Sequence, residues 1–335
     1  MKVIRSICLF NDRPTTNDLS RLSELADKFK NIGFEIQTKR ICSSNAKIIY
    51  DLDRSNDGTL YSLGELDYGV ARKDLDKLLK TNNVSFNVNL TSSDISVKHT
   101  DLITEIIKRA PRQTFNFTYT FNNSPSSPYF PSAVYVKNGF TIGLQPTNLS
   151  ENCETLEQWF EEMSLVWNEI TDISSIEPDF LGIDTSIAPI FDGSGSLVNF
   201  IKRLGMDFSS SVTTDTYLRI TDFIKNKSPQ PIGLCGLMFP CLEDFELADE
   251  YEKGNFSIER NMFLALHSGL GIDTYPIGID EHPQRAVEVL RLVQGISNKY
   301  RKSLSVRFVS DGKAKVGQKT NFKNQYLKDV VVRAL

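Results

Sequence analysis

The chain is poor in the residues from which transition-metal and thiol chemistry is usually built. Among its 335 residues there are three histidines and five cysteines, with no Cys-x-x-Cys pair. A zinc site of the usual kind, which gathers Cys and His ligands, is therefore not expected. Cys8, Cys42, Cys153, Cys235 and Cys241 are odd in number and widely scattered, which fits reduced thiols better than a disulfide framework. Positive charge is not in excess: 38 Lys and Arg against 42 Asp and Glu leave a net charge of -4. That balance argues against a dedicated nucleic-acid surface, which concentrates Lys and Arg. No apolar run approaches the roughly 20 residues of a membrane-spanning helix. The opening stretch, Met1 to Phe10, is too short and interrupted for a signal peptide. The expectation is a soluble cytoplasmic protein with neither a nucleic-acid nor a membrane partner.

What the chain does have is an alternation of strand-like and helix-like periods. Val3 to Leu9 is apolar and β-prone, and Thr16 can then cap a helix burying Leu19, Leu22, Leu25, Ala26 and Phe29. Gly33 ends that helix and residues 34–40 return as a strand. A helix is predicted over 66–79 and another around Leu102 to Ile107; Val84, Phe86, Val88 and Leu90 alternate with polar residues, as do Phe115, Phe117, Tyr119 and Phe121. Later helices fit 156–173, 197–204, 215–225, 243–252, 258–266 and 283–299, and strands fit 180–184, 231–241 and 304–309. This is an α/β pattern. With 40% hydrophobic residues, one large domain over 1–335 can bury its core. The proline- and serine-rich segment Asn122-Asn-Ser-Pro-Ser-Ser-Pro-Tyr-Phe-Pro131 is expected as an excursion loop. It is followed by a tight hairpin at Asn138-Gly139, the two together occupying about 122–144.

Three segments place carboxylates where strands end and the backbone turns sharply. In α/β folds such positions line the ligand crevice. The first is Gly182-Ile-Asp184-Thr-Ser186, where Asp184 is a candidate catalytic group and Ser186 a candidate substrate ligand. The alternative is that Asp184 caps its own turn. Just beyond, Gly193, Ser194 and Gly195 open a helix and offer amides to an anion, although such turns are common. The second is Gly236-Leu-Met-Phe-Pro240-Cys-Leu-Glu243-Asp244, whose acidic pair is a candidate ligand set for Mg²⁺ or another oxygen-bound cation; equally, it begins a helix and complements its dipole. The third, His267-Ser-Gly-Leu-Gly-Ile-Asp273-Thr-Tyr-Pro276, is the most informative. Asp273 stands among glycines that free the backbone, a combination suited to general-base or metal chemistry. His267 is a second catalytic candidate, or a helix C-terminal cation. Finally, Arg307 in a strand and Lys313 in the glycine-punctuated loop after it could clamp an anionic substrate, with a solvated surface loop as the other reading of Lys313.

Taken in order, Ile4-Arg5-Ser6-Ile7, Gly33-Phe-Glu-Ile-Gln37-Thr-Lys-Arg40, Phe130-Pro-Ser-Ala133, Thr141-Ile-Gly-Leu144, 182–189, 236–244 and 269–276 resemble the domain-of-unknown-function 711 family, also called uncharacterised protein family 0210. The resemblance implies a single large α/β barrel with outer helices, similar to the ten-stranded pyruvate formate-lyase fold, in which two five-stranded halves close around a central site. It does not imply glycyl-radical activity, because the chain has Arg307-Phe-Val-Ser-Asp-Gly312 in place of the Arg-Val-x-Gly-aromatic radical motif. Family association also implies an ACT-domain protein as a partner, and symmetry of soluble oligomers adds a homodimer. The leading expectation is a non-radical enzyme, a hydrolase, lyase or isomerase, acting on a small anionic metabolite with Asp184, Glu243, Asp244 and Asp273 converging at a barrel mouth. The alternative is a metabolite-binding regulatory protein without catalysis.

Overall fold

The computed structural model describes residues 1–54 and 58–335. In chain order the elements are β1 (Val3–Phe10), α1 (Thr16–Lys30), β2 (Glu35–Ile36), β3 (Lys39–Cys42), α2 (Ala46–Asp53), β4 (Leu60–Leu66), α3 (Tyr68–Lys73), α4 (Leu75–Leu78), β5 (Val84–Asn89), α5 (Val97–Arg109), β6 (Phe117–Phe121) and β7 (Gly139–Leu144). They continue with α6 (Leu156–Ser174), β8 (Phe180–Asp184), α7 (Leu197–Arg203), α8 (Phe208–Ser211), α9 (Thr216–Lys227), α10 (Phe245–Lys253), α11 (Ile258–His267), β9 (Gly271–Pro276), α12 (Pro283–Tyr300) and β10 (Leu304–Val309). Ten strands form one mixed sheet in the order β8-β7-β1-β3-β4-β5-β6-β10-β9, with β2 paired beside β1. Strands β1, β3, β4, β5 and β6 run parallel to one another. β7 with β8, and β9 with β10, are parallel pairs set antiparallel to that group across β1 and β6.

Local chemistry explains where the long helices begin. Thr15, one residue earlier than expected, caps α1 because Asp18 reciprocates in a capping box, and Thr155 with Gln158 does the same for α6. Among the described residues no helix is long and apolar enough to cross a membrane.

The two faces of the sheet differ. On the helix-covered face, Ile7, Leu9, Ile41, Phe86, Phe117, Tyr119, Ile142, Ile272, Val306 and Phe308 join the main core. Their neighbours along the strands point the other way, since side chains alternate across a sheet. That second face carries Ser6, Cys8, Arg40, Ser85, Asn87, Thr118, Thr120, Thr141 and Arg307, all buried. A parallel sheet buried on both faces usually reads as continuous apolar runs; here one face is polar. Part of it is covered by the expected excursion loop. Residues 126–133 are buried except for half-buried Phe130, and Asn87 holds the loop by donating to the carbonyls of Pro131 (3.0 Å) and Ala133 (2.9 Å). Gly143 on β7 lies so close beneath it that an added Cβ would stand 2.9 Å from Pro128 and Tyr129.

Several elements depart from expectation. The helix predicted over 66–79 is two short ones, α3 and α4, preceded by a strand, β4, that was not foreseen. No hairpin forms at Asn138-Gly139: Gly139 begins β7, which pairs antiparallel with β1, and Asn138 accepts from the Asp12 amide and the Tyr135 hydroxyl. The glycine is required there by close packing, since a Cβ would lie 2.5 Å from the Asp179 carbonyl. The strand expected over 231–241 is reduced to isolated parallel bridges, Pro231 with Ile183, Leu237 with both Ile187 and Gly269, and Pro240 with Asp273. Positive φ at Gly233 and Cys235 interrupts its ladder. Conversely, the glycine-rich stretch after His267 contains a strand, β9.

Candidate functional site

A cavity of about 710 Å³ lies against the polar face, lined by the first residues of several strands and by the buried loop. Its volume falls in the range of small-ligand sites. Three arginines on strands reach it, Arg5 from β1, Arg40 from β3 and Arg307 from β10, together with Glu243 from the turn before α10 and Asp273 from β9.

Arg307 organises the acidic side. Its Nε donates to Asp273 Oδ1 at 2.5 Å and its Nη2 to Glu243 Oε2 at 2.6 Å. The guanidinium also lies over the Phe115 ring, 5.1 Å from the centroid. Burial works against the Arg307 charge, but Asp273 and Glu243 outweigh it and raise its pKa. Glu243 is buried and its pKa is raised, first by burial, with Arg307 opposing and Asp273 adding to the rise. The other oxygen of Glu243 meets Arg5 Nη2 only at 3.5 Å.

Arg40 is different. Only 6% exposed, it donates from Nε to Thr38 (2.9 Å) and from Nη1 to the Pro128 carbonyl (3.1 Å), and it packs 5.0 Å from the Phe130 centroid. It makes no ion pair among the described residues. Burial, and then the neighbouring Arg5, lower its pKa to about 10. A buried guanidinium facing a cavity without a carboxylate of its own is an unusual and costly arrangement. Arg5, loosely held by Glu243 and by Gln145 at 3.4 Å, stands beside it. One part of the wall is aromatic: Phe115 and Tyr326 lie 6.4 Å apart at 9°, and Phe191 and Tyr326 5.7 Å apart at 25°.

The family model described as Uncharacterised ACR (DUF711) matches residues 74–324. The chain belongs to that family. A comparison with curated proteins finds no match. The matched span of this DUF711 chain contains Glu243, Asp273, Arg307 and the aromatic residues Phe115 and Phe191, whereas Arg5 and Arg40 precede it.

Of the candidates named from sequence, Glu243, Asp273 and Arg307 line the DUF711 cavity; the others do not. Asp184 is fully buried, and its two oxygens accept from five donors: the hydroxyls of Ser127 (2.7 Å) and Ser186 (2.5 Å) and the amides of Ser186, Leu234 and Cys235 (3.1, 2.9 and 3.0 Å). Gly233 lets that amide nest form, with φ +74 and room for no Cβ, which would lie 2.3 Å from Asp184 Oδ2. Ser186 is consumed by the same network, its hydroxyl also accepting from the Gly236 amide. Asp244 caps α10 through the amides of Glu246 and Leu247, both at 3.2 Å, and holds the Leu197 amide at 3.0 Å. With Glu243 engaged by arginines and Asp244 by amides, the expected Glu243/Asp244 cation site is not formed, and among the described residues no group of three or more His, Cys, Asp or Glu could hold a metal ion. His267 ends α11, sharing a 2.7 Å hydrogen bond with Ser268 and an edge contact with Phe263; burial, then Lys302, lower its pKa. Gly193 and Gly195 bond back to Glu246 and Asp192 rather than presenting free amides, Ser194 lies beside them away from the cavity, and Lys313 is exposed.

The residues that sequence left without a role are Arg5, Arg40, Arg112, Phe115, Phe191 and Tyr326. One signal existed for Arg5: a lone arginine inside a mostly apolar strand has to find a polar interior or an ion, because Arg is rarely buried without a partner.

Proposed function

We propose that this protein binds a small anionic metabolite in the cavity, its anionic group taken by Arg5 and Arg40, and that Glu243 exchanges a proton with the bound molecule. The observation that carries the reading is Arg40, a buried cation at the cavity with no carboxylate partner among the described residues. An incoming carboxylate or phosphate would supply the missing charge through short, charge-assisted hydrogen bonds. Glu243, its pKa raised chiefly by burial, faces the cavity and would be the group that accepts and returns a proton. Asp273 and Arg307 would fix its orientation. No step requires a metal ion, and the chemistry is of the lyase or isomerase type, non-radical, at a carbon next to the anionic group.

The cavity also supports the barrel reading of the fold. The end strands β8 and β9 are both bridged by the segment 231–240, which would act as the last stave and close two five-membered halves around the site, as in the pyruvate formate-lyase-like barrel.

A receptor without turnover is favoured by a different observation: both Glu243 oxygens already face guanidinium groups, which lowers a base's strength. The experiment is a thermal-shift titration with inorganic phosphate and with short monocarboxylates, on the wild type and Arg40→Met, followed by proton NMR in deuterated water. Anion-dependent stabilisation that disappears in Arg40→Met supports the site. Wash-in of deuterium next to the carboxylate, lost in Glu243→Gln, supports proton exchange; stabilisation without wash-in supports the receptor. Equal stabilisation of wild type and Arg40→Met would overturn both.

A further inference from the structure

The strand ends opposite Arg5 and Arg40 carry a second unpaired cation. Arg112 lies in the helical turn Pro111–Asn116 that leads into β6 and lines the same cavity. Arg112 is exposed; among the described residues its guanidinium makes one long hydrogen bond, Nη2 to the Thr81 carbonyl at 3.4 Å, and no ion pair. Beside it, Asn82 and Asn83 also line the cavity. Their backbone amides are tied to the Asp53 carboxylate at 2.8 and 2.9 Å, which fixes the turn, while their side-chain amides donate no hydrogen bond among the described residues. The two asparagines on this braced turn, and Arg112 beside them, stand at the solvent-open side of the cavity with no acidic partner for their side chains among the described residues.

Ser85 and Thr118 on the intervening strands also line the cavity, as does the Phe115–Tyr326–Phe191 stack, against which Arg307 lies with its charge already taken by Glu243 and Asp273. The separation follows from topology. Arg40 is on β3 and Arg112 enters β6, with β4 and β5 between, so the two backbones stand three interstrand spacings apart, roughly 14 Å along the sheet and less across a curved one. A separation of that order suits a short chain with an acidic group at each end better than a single carboxylate.

We propose that Arg112, with Asn82 and Asn83, takes a second acidic group, so that the cavity selects a dianion with its charges at opposite ends. This rests on the assignment of the first group to Arg5 and Arg40, and it narrows the substrate class from small anions to elongated dianions such as dicarboxylates or phosphorylated carboxylates. Arg112 then sets specificity by length, because an anion too short to span the cavity engages only one end.

The test is calorimetric titration of the full chain with dicarboxylates from malonate through pimelate and with monocarboxylates from propionate through heptanoate. The expected result is that longer dicarboxylates bind about tenfold more tightly than monocarboxylates of equal length, the scale of one added charge-assisted hydrogen bond. Arg112→Gln removes that advantage and leaves monocarboxylate binding unchanged, whereas Arg40→Met weakens both series. If monocarboxylates bind through Arg40 but dicarboxylates are no better, or Arg112→Gln keeps their advantage, the second subsite is overturned and the first stands. If neither series binds the wild type, both are overturned.

Discussion

Buried Asp184, Glu243 and Asp244 and half-buried Asp273 divide into two kinds by the partners they have. Asp184 and Asp244 are satisfied by amides and hydroxyls, neutral donors fixed by the backbone. Glu243 and Asp273 are satisfied by the guanidinium of Arg307 at the edge of a cavity. The first kind holds a turn in place: its donors belong to the fold and are left unsatisfied if the acid is removed. The second kind holds charge in place, and the arginines around it include one with no acid of its own. Glu243 and Asp244 are neighbours in sequence yet fall on opposite sides of this division, because the first precedes the helix and the second caps it. Acidic residues after a strand are thus not by themselves evidence of chemistry; the nature of the donor separates the cases.

The largest test of the contrast is Asp184→Ala, which strands three amides and two hydroxyls in the interior. It should cost about 3–5 kcal/mol in chemical denaturation, or leave no folded protein; a cost below about 1 kcal/mol would place Asp184 with the functional pair. Next in size is a pH effect. Burial raises the Asp244 pKa to about 6, so its contribution to stability is fully present below its unfolded value near 4 and is lost as pH rises through about 6, an effect on the order of 2–3 kcal/mol. Asp184 and Glu243, also raised by burial, act in the same direction. The difference between wild type and Asp244→Asn, followed by urea melts from pH 4 to pH 7, should carry that slope; a flat difference would contradict it. Glu243→Gln keeps the shape and leaves Arg307 paired with Asp273, so it should cost only about 1 kcal/mol while abolishing deuterium wash-in. The smallest expected change in stability is Arg40→Met, within about 1 kcal/mol of the wild type because an unpaired buried charge is removed along with two hydrogen bonds. Its anion response is the one that should disappear.

The helices were legible where caps and apolar spacing agree, as at α6 and α12, and β8 and β10 were legible from short apolar runs between turn residues. Strand β4 was hidden because Leu60 to Leu66 carries no strict alternation and runs straight into α3. Segment 231–241 looks like a strand by composition, yet its backbone turns twice into positive φ to cradle Asp184. Asp273, Glu243 and Arg307 could be picked out because each sits at a chemically marked place. Their meeting could not, since the contacts are long-range: Arg5 and Glu243 are 238 residues apart in the chain. In β5 and β6, Val84-Ser-Phe-Asn-Val and Phe117-Thr-Tyr-Thr-Phe alternate although both strands are parallel and interior, which requires a polar chamber on the second face.

The proline-rich segment between β6 and β7 joins the two strand groups, and it is anchored at one side by Arg40, through the Pro128 carbonyl, and at the other by Asp184, through the Ser127 hydroxyl. It therefore works as a tie rod between β3 and β8. A few residues inserted there, in what reads as the most permissive stretch of the chain, would slacken the cation proposed to meet the ligand and the turn held by Asp184 in a single stroke.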